Sequence, residues 1–368
     1  MEKKMLFAVL SYFLAIAASY AQEQDEFDVT IEEEKQILFD RGGVGTYGTA
    51  LSKIASFVSL NGFANNEFIA TEDESSFDQS EINLFVSAEL SKRITTEFNV
   101  GFSFTEVEIE YAFLDYEFDP RAVLRVGKFL LPTSDFNEYN GFAYLNRGIG
   151  SPLTALVSPD KWSSVGLQLR GKFGDNDSDL RPYYGVYIVN GLATPGEGEE
   201  EEEEEEGELR ELVEGGEVTD NNQNKGIGGQ IGIEYKKDLF ASLSYHTSKY
   251  DSADQLNANV FGISTGYDNG KLHLSAEFHS TLLEERDGEE IEEEDMNGFF
   301  VTAAYKVNKF EPVLRYDSFS LENTSIDRVT VGFNYYFLET GLLKVNYMNQ
   351  SGDTDDENVF GAGVVFTF

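Results

Sequence analysis

Few side chains in this 368-residue sequence can carry chemistry, because it has no cysteine and only three histidines. Thiol nucleophiles, thiolate metal sites and disulfides are therefore excluded. His246, His273 and His279 are the remaining candidates for a hydrolytic relay or a metal site. His279 and Ser280 are adjacent, and on extended backbone neighbours face opposite sides, so they cannot pass a proton between them. No carboxylate stands at a spacing that completes a metal-ligand set with these histidines. No catalytic, metal-ligating or cofactor-binding residue is expected. What remains is non-covalent: Arg125, Arg170, Lys172, Lys306, Arg315 and Lys344 share one parity of their segments, with Arg147 and Lys161 on a long connection between two segments. Cations gathered around a shared aqueous space attract anions and repel cations. Glu81, Glu89, Glu97, Glu108, Glu110, Glu234, Glu277 and Asp317 share the same parity. Two roles therefore stay open for the bases, ion selection or pairing across strands to hold the structure together.

The elements that must position them are strands. Thirty phenylalanines, nineteen tyrosines and 34 glycines against seven prolines favour aromatic strands joined by Gly and Asp turns. From residue 56 to 368 the sequence alternates apolar with polar or small residues, a period of two. Ile82, Leu84, Val86, Ala88 and Leu90 alternate with Glu81, Asn83, Phe85, Ser87 and Glu89. Sixteen such segments follow one another, from 56–65 and 80–90 through 163–173 and 271–279 to 343–349 and 358–368. An even count is what single-chain bacterial barrels require. The connections alternate as well. Short turns such as Ser91-Lys92-Arg93, Lys237-Asp238 and Asp268-Asn269-Gly270 interleave with longer connections at 67–79, 130–162, 192–225, 280–296 and 350–357. Thr105-Glu106 is the one short connection that breaks this parity. The last segment places Phe360, Ala362, Val364, Phe366 and Phe368 on one face, as outer-membrane barrels do at their C-terminus. The expected fold is an all-β transmembrane antiparallel barrel of about sixteen strands, wide enough for an aqueous lumen. Tyr235, Tyr245, Tyr267, Tyr305, Tyr316, Tyr335 and Tyr347 take the outward parity and fit interfacial girdles.

The formal charge of −40 excludes nucleic acid as a partner. It is concentrated outside the strands. Glu197 to Glu217 holds thirteen glutamates, Glu284 to Asp295 nine acids, and smaller clusters lie at 23–40, 67–78 and 353–357. The segments themselves are close to balanced. The acidic connections read as solvated, self-repelling loops, or as places where divalent cations gather. Lys3 and Lys4, an apolar run from Met5 to Ala18 and the small-residue end Ser19-Tyr20-Ala21 form a secretory signal peptide over 1–21, cut after Ala21. Residues 22–55 are expected to be a periplasmic segment and 56–368 the barrel; 34 residues before the first strand are too few for a plug domain.

Several stretches are similar to a known family: Gly127-Lys128-Phe129-Leu130-Leu131-Pro132-Thr133-Ser134, Asn146-Arg147-Gly148, Ser163 to Gly171, Val189-Asn190-Gly191, Gly298 to Tyr305, and Phe310 to Asp317. Their order and spacing resemble the phosphate-selective porin O and P family over most of residues 55–368. The resemblance implies a sixteen-stranded porin, often a homotrimer in the Gram-negative outer membrane, whose third loop, 130–162, folds inward to narrow the pore. Arg125, Arg147, Lys161, Arg170, Lys172 and Arg315 are then the constriction candidates, and small hydrophilic solutes, ions and outer-membrane lipid the partners. The sequence lacks the dense lysine ladder that strong phosphate selection would need, so passive diffusion with a weak anion or phosphate preference is expected. The competing expectation is a structural or adhesive barrel whose acidic loops bind cations.

Overall fold

The computed structural model describes residues 58–368 except 73, 104–106, 160, 176, 193–221, 254, 288–289, 322–323 and 354–356. The expected signal peptide over 1–21, the segment 22–55, the poly-glutamate run and the Thr105-Glu106 connection lie outside the described residues.

Sixteen strands form the described chain. They are β1 (Val58–Ala70), β2 (Ser75–Ser91), β3 (Ile94–Ser103), β4 (Val107–Asp119), β5 (Ala122–Leu130), β6 (Ser163–Lys172), β7 (Leu180–Asn190) and β8 (Lys225–Tyr235). The second half comprises β9 (Leu239–Lys249), β10 (Asn257–Asp268), β11 (Leu272–Asp287), β12 (Glu290–Tyr305), β13 (Phe310–Leu321), β14 (Thr324–Tyr336), β15 (Gly341–Gly352) and β16 (Glu357–Thr367). Each pairs antiparallel with its sequence neighbours, and β1 pairs with β16 from Phe63↔Thr367 to Ala70↔Phe360, which closes the barrel. Closure leaves no unpaired edge, the condition for a sheet to cross a bilayer.

The alternation expected from sequence sets the two surfaces. Leu243, Ile231, Val301, Leu314 and Val331 point outward and are exposed, while Ser242, Gln230, Thr302, Arg315 and Thr330 between them are buried on the inner side. Outward tyrosines stand near both rims. Tyr235, Tyr267, Tyr305 and Tyr335 lie beside the short turns, and Tyr245, Tyr316 and Tyr347 lie toward the other end. Each of the latter three donates its hydroxyl to a polar residue of the next strand, Asn259 at 2.9 Å, Asp327 at 2.8 Å and Asn358 at 2.8 Å.

Strand ends differ from the expectation. The acidic stretches 67–79 and 280–296, read above as loops, are largely strand: β1 and β2 are joined across residues 71–74 alone, and the β11–β12 ladder continues to Asp287↔Glu290. Backbone pairing carries on past the apolar band because the hydrogen-bond ladder does not depend on which side chains it bears. Charge density there masks the pattern of two, since acidic residues occupy successive positions and so both faces.

Candidate functional site: the lumen and its inward connection

Residues 131–162 leave β5 and return to β6, but do not lie over the rim. Their backbone is held by inward-facing side chains from strands on the far side of the barrel. Ser244 of β9 donates to the Thr133 carbonyl, Glu277 of β11 accepts from the Phe136 N–H at 2.7 Å, and Thr281 donates to the Val157 carbonyl at 2.6 Å. Asp317 of β13 accepts from the Leu153 N–H at 3.1 Å. Arg328 of β14 donates to the Ser151 carbonyl at 2.6 Å, and Asn334 donates to the Arg147 carbonyl at 3.1 Å. Lys344 of β15 donates to three carbonyls, those of Ala143, Asn146 and Gly148. A connection tied to four or more opposite strands through their inner faces runs through the lumen. A buried stretch without regular ladders must find side-chain partners for its peptide groups, and these are the partners.

Apolar contacts fix it further. Phe142 and Tyr144 pack on Phe63, Phe85, Leu342 and Val365, inward positions of β1, β2, β15 and β16. Leu153, Val157 and Trp162 join Phe113, Phe129, Tyr187, Val260, Leu283 and Phe319 in a second cluster. Phenylalanines on the inner parity of a barrel strand are out of place beside water. They mark where the connection lands, a signal already present in the sequence at Phe63, Phe85 and Phe113. Two short helical turns, Phe136–Asn140 and Leu153–Leu156, give it shape. Asn137 bridges its two ends, donating from Nδ2 to the Leu131 and Trp162 carbonyls and accepting the Trp162 N–H at 2.6 Å.

The six constriction candidates do not converge in one ring, and carboxylates face most of them. Arg125 makes a bidentate pair with Asp115, directly opposite on β4, at 2.8 and 2.9 Å, and its guanidinium lies 3.5 Å from the Phe113 ring centroid. Arg170, on β6, faces Tyr139 and Glu138 of the inward connection. Lys172 pairs with Glu234 of β8, which also takes Arg181 at 2.9 Å. Arg147 bridges Asp268 at 3.2 Å and Glu311 at 3.6 Å, near the short-turn rim. Arg315 is 3.1 Å from Asp317 and reaches the Gly150 and Ser151 carbonyls at 3.4 Å. Lys161 lies 3.0 Å from Glu110 and 4.0 Å from Glu81, near the opposite rim. Glu110 is the extra residue of a β4 bulge between the pairs Asn99↔Tyr111 and Val100↔Ile109, which turns its side chain inward.

Arg181 and Arg328 belong to this wall and were not among the candidates. Arg328 could have been found, because Val329, Val331, Phe333 and Tyr335 define the outward parity of its strand. Arg181 was hidden because β7 starts at Leu180, two residues before the segment 182–190 expected from the alternation. The three histidines scatter. His246 sits between the Tyr187 hydroxyl and Ser248 Oγ, each at 3.2 Å, with the Trp162 ring at 4.6 Å. His273 faces Asp268 at 3.1 Å and His279 faces Glu277 at 3.5 Å. His279 points into the lumen while Ser280 takes the outward position opposite Phe261. Among the described residues no group of three His, Asp or Glu side chains is arranged as metal ligands.

These features define a porin-like barrel: sixteen antiparallel strands, closed, with a polar interior and a connection folded inside. Solved structures with this fold include an anion-selective porin from Comamonas acidovorans, with a TM-score of 0.60 and 14% identity, covering 84% of this chain and 99% of that one. OmpF of Salmonella typhi, in complex with daunomycin, has a TM-score of 0.60 at 14% identity and covers 84% and 97% of the two chains. The trimer form of OmpT from Vibrio cholerae, an outer membrane protein, has a TM-score of 0.56 at 13% identity over 84% and 99%. An uncharacterized protein of Aquifex aeolicus is 26% identical over 235 residues, which make up 60% of this chain and 51% of that protein. The match thus spans about half the length of that curated relative. No family model matches the chain.

Proposed function

We propose that the chain is a porin of a Gram-negative outer membrane, through which ions and small hydrophilic solutes diffuse without a reaction step. The observation that carries this reading is the inner wall: sixteen closed strands lined by serine, asparagine, glutamine and paired charges, with one connection held inside by hydrogen bonds. Lipid-facing strands need only an apolar exterior; a polar interior of this width is the arrangement of a water-filled barrel. The export signal at 1–21 fits that location, and homotrimers fit the fold, as in the trimer form of OmpT.

Ion preference in this reading is weak, because five of the six basic candidates face carboxylates within ion-pair distance. A cation whose field is cancelled by a contacting carboxylate contributes little to the potential along the axis. What anion or phosphate bias exists comes from Arg170, Lys172 and Arg181 on adjacent strands, where three bases share Glu234 and Glu138.

The test is single-channel conductance of refolded protein in a planar bilayer under a salt gradient. A stable ohmic current with a reversal potential near zero is expected. Absence of current from correctly folded barrels would replace this reading with that of a structural or adhesive barrel whose acidic loops bind cations.

A further inference from the structure

Lys161 makes a contact that the porin reading does not require. Its ammonium comes from the end of the inward connection and lies 3.0 Å from Glu110 and 4.0 Å from Glu81, with Glu108 adding its charge to the same spot. These three glutamates sit on β2 and β4, toward the rim away from the short turns. Close by on the inner face are three carboxamides, Asn65 on β1, Asn83 on β2 and Asn99 on β3, that are 4%, 0% and 0% exposed; Asn65 pairs with Glu81, and Asn83 lies opposite Gly101, which pairs with Glu108. Neither polar atom of the Asn83 carboxamide has a partner, and the side-chain oxygens of Asn65 and Asn99 have none. Buried amides without partners are rare in folded proteins and cost free energy where they occur. Gly101, directly opposite Asn83, carries no side chain; a Cβ there would touch the Asn83 carboxamide oxygen at 3.4 Å.

We propose that this wall of β1–β4 is a binding site for the ammonium group of a cationic solute, and that Lys161 is its built-in occupant. The carboxylates supply charge-assisted acceptors for an N–H donor. The carboxamides supply both donors and acceptors for the polar body of the solute beside it. The chemical class is a primary amine or diamine, and the incoming ammonium takes the place of the lysine. The side chains of Lys161 and Glu81, 28% and 24% exposed, put the charged end of the site in reach of solvent.

The proposal assumes that solutes enter the lumen from that rim, and two readouts separate its failure from failure of the porin reading. Trp162 is the sole tryptophan and the neighbour of Lys161, so its fluorescence reports displacement of the lysine whether or not the barrel conducts. The probe is 1,5-diaminopentane, with 1,5-pentanediol as the uncharged control, added to the refolded full chain in detergent and, separately, to bilayers. The diamine is expected to shift Trp162 emission and reduce the current, and the diol to do neither. Lys161→Met, which empties the site, should tighten the response severalfold, and the Glu81→Gln/Glu108→Gln double variant should weaken it about tenfold, the equivalent of one charge-assisted hydrogen bond. Both variants alter partly exposed positions and should fold. An emission shift without current would keep the ammonium site and overturn the channel. Equal responses to diamine and diol, no response in either the wild type or Lys161→Met, or a glutamine variant that responds like the wild type, would overturn the site.

Discussion

The ammonium of Lys344 lies 3.1 Å from the carbonyl oxygen of Gly148, although the two residues are 196 positions apart in the chain. The same nitrogen takes the carbonyls of Ala143 and Asn146, so one wall lysine closes a loop of carbonyls as a bound cation would. Lys344→Met should free this turn, because three carbonyls lose their donor, the buried one of Gly148 at about 1–3 kcal/mol before relaxation and the part-buried ones of Ala143 and Asn146 at less. Larger and noisier single-channel currents are expected, with a lower temperature for loss of the compact band in semi-native electrophoresis.

Asp317 is completely buried and serves the Leu153 N–H, Arg315 and Arg328 together. Asp317→Ala leaves two guanidinium groups without their carboxylate inside the barrel, a change worth about 3–5 kcal/mol when the pair is buried. Folding yield should fall sharply. Replacing Asp317 and Arg315 together by Asn and Met should recover part of it, since the uncompensated charge is then smaller.

Gly127 has φ of +134°, and a Cβ there would come within 2.3 Å of the Ala112 carbonyl oxygen and 2.8 Å of Phe113 Cα. Both obstacles are backbone of the neighbouring strand. Gly127→Ala should destabilise the barrel by about 1–3 kcal/mol through strain alone. Urea-induced unfolding in lipid vesicles measures it, and a variant as stable as the parent would show that β4 and β5 can separate there.

Asp251 lies in the connection between β9 and β10. Burial raises its carboxyl, but N–H donors from Leu256 and Gln255, each at 2.7 Å, and Ala253 at 3.2 Å prevail and hold it below the usual carboxylate range. A carboxyl lowered by folding stabilises its surroundings above its unfolded value of about 3.9 and loses that contribution as pH falls through the folded value. Amide protection across residues 251–256, with the intrinsic pH effect divided out, should therefore be flat above pH 5 and fall below pH 4. Asp251→Asn should remove that extra step.

Removing a paired base unmasks its acid. Arg147→Ala, which leaves Asp268 and Glu311 without their shared partner, should move the reversal potential toward cation selectivity, whereas Arg125→Gln with Asp115→Asn should leave it unchanged. A shift of equal size in both would mean that the pairs do not cancel.

The strands were legible in the sequence because a lipid-facing barrel repeats every two residues, and Leu243, Tyr245 and Thr247 obey that period as well as any others. Their ends were not. Beyond Leu282 the apolar stripe of the β11–β12 hairpin ends, both faces become acidic, and alternation carries no signal although the ladder persists. Parity also placed Arg125, Arg315 and Lys344 on the inner wall, but could not give their partners. The Arg125–Asp115 pair depends on register, and the bulge at Glu110 shifts the parity of β4 midway. Arg315 and Lys344 meet peptide carbonyls of a connection whose path is fixed by tertiary packing, on which local pattern is silent.

The extended β11–β12 hairpin also sets a block of like charge apart from the wall. From Leu282↔Asp295 to Asp287↔Glu290 the ladder rises five residues, roughly 17 Å along the strand at the usual rise. At physiological ionic strength charges are screened within about 8 Å, so the tip stands beyond the field of the charges at the base of the extension. Glu284 faces Glu293 and Glu285 faces Glu292 across that ladder, so the extension gathers like charge along both of its strands and, in the porin reading proposed above, answers to the surrounding medium rather than to the barrel wall.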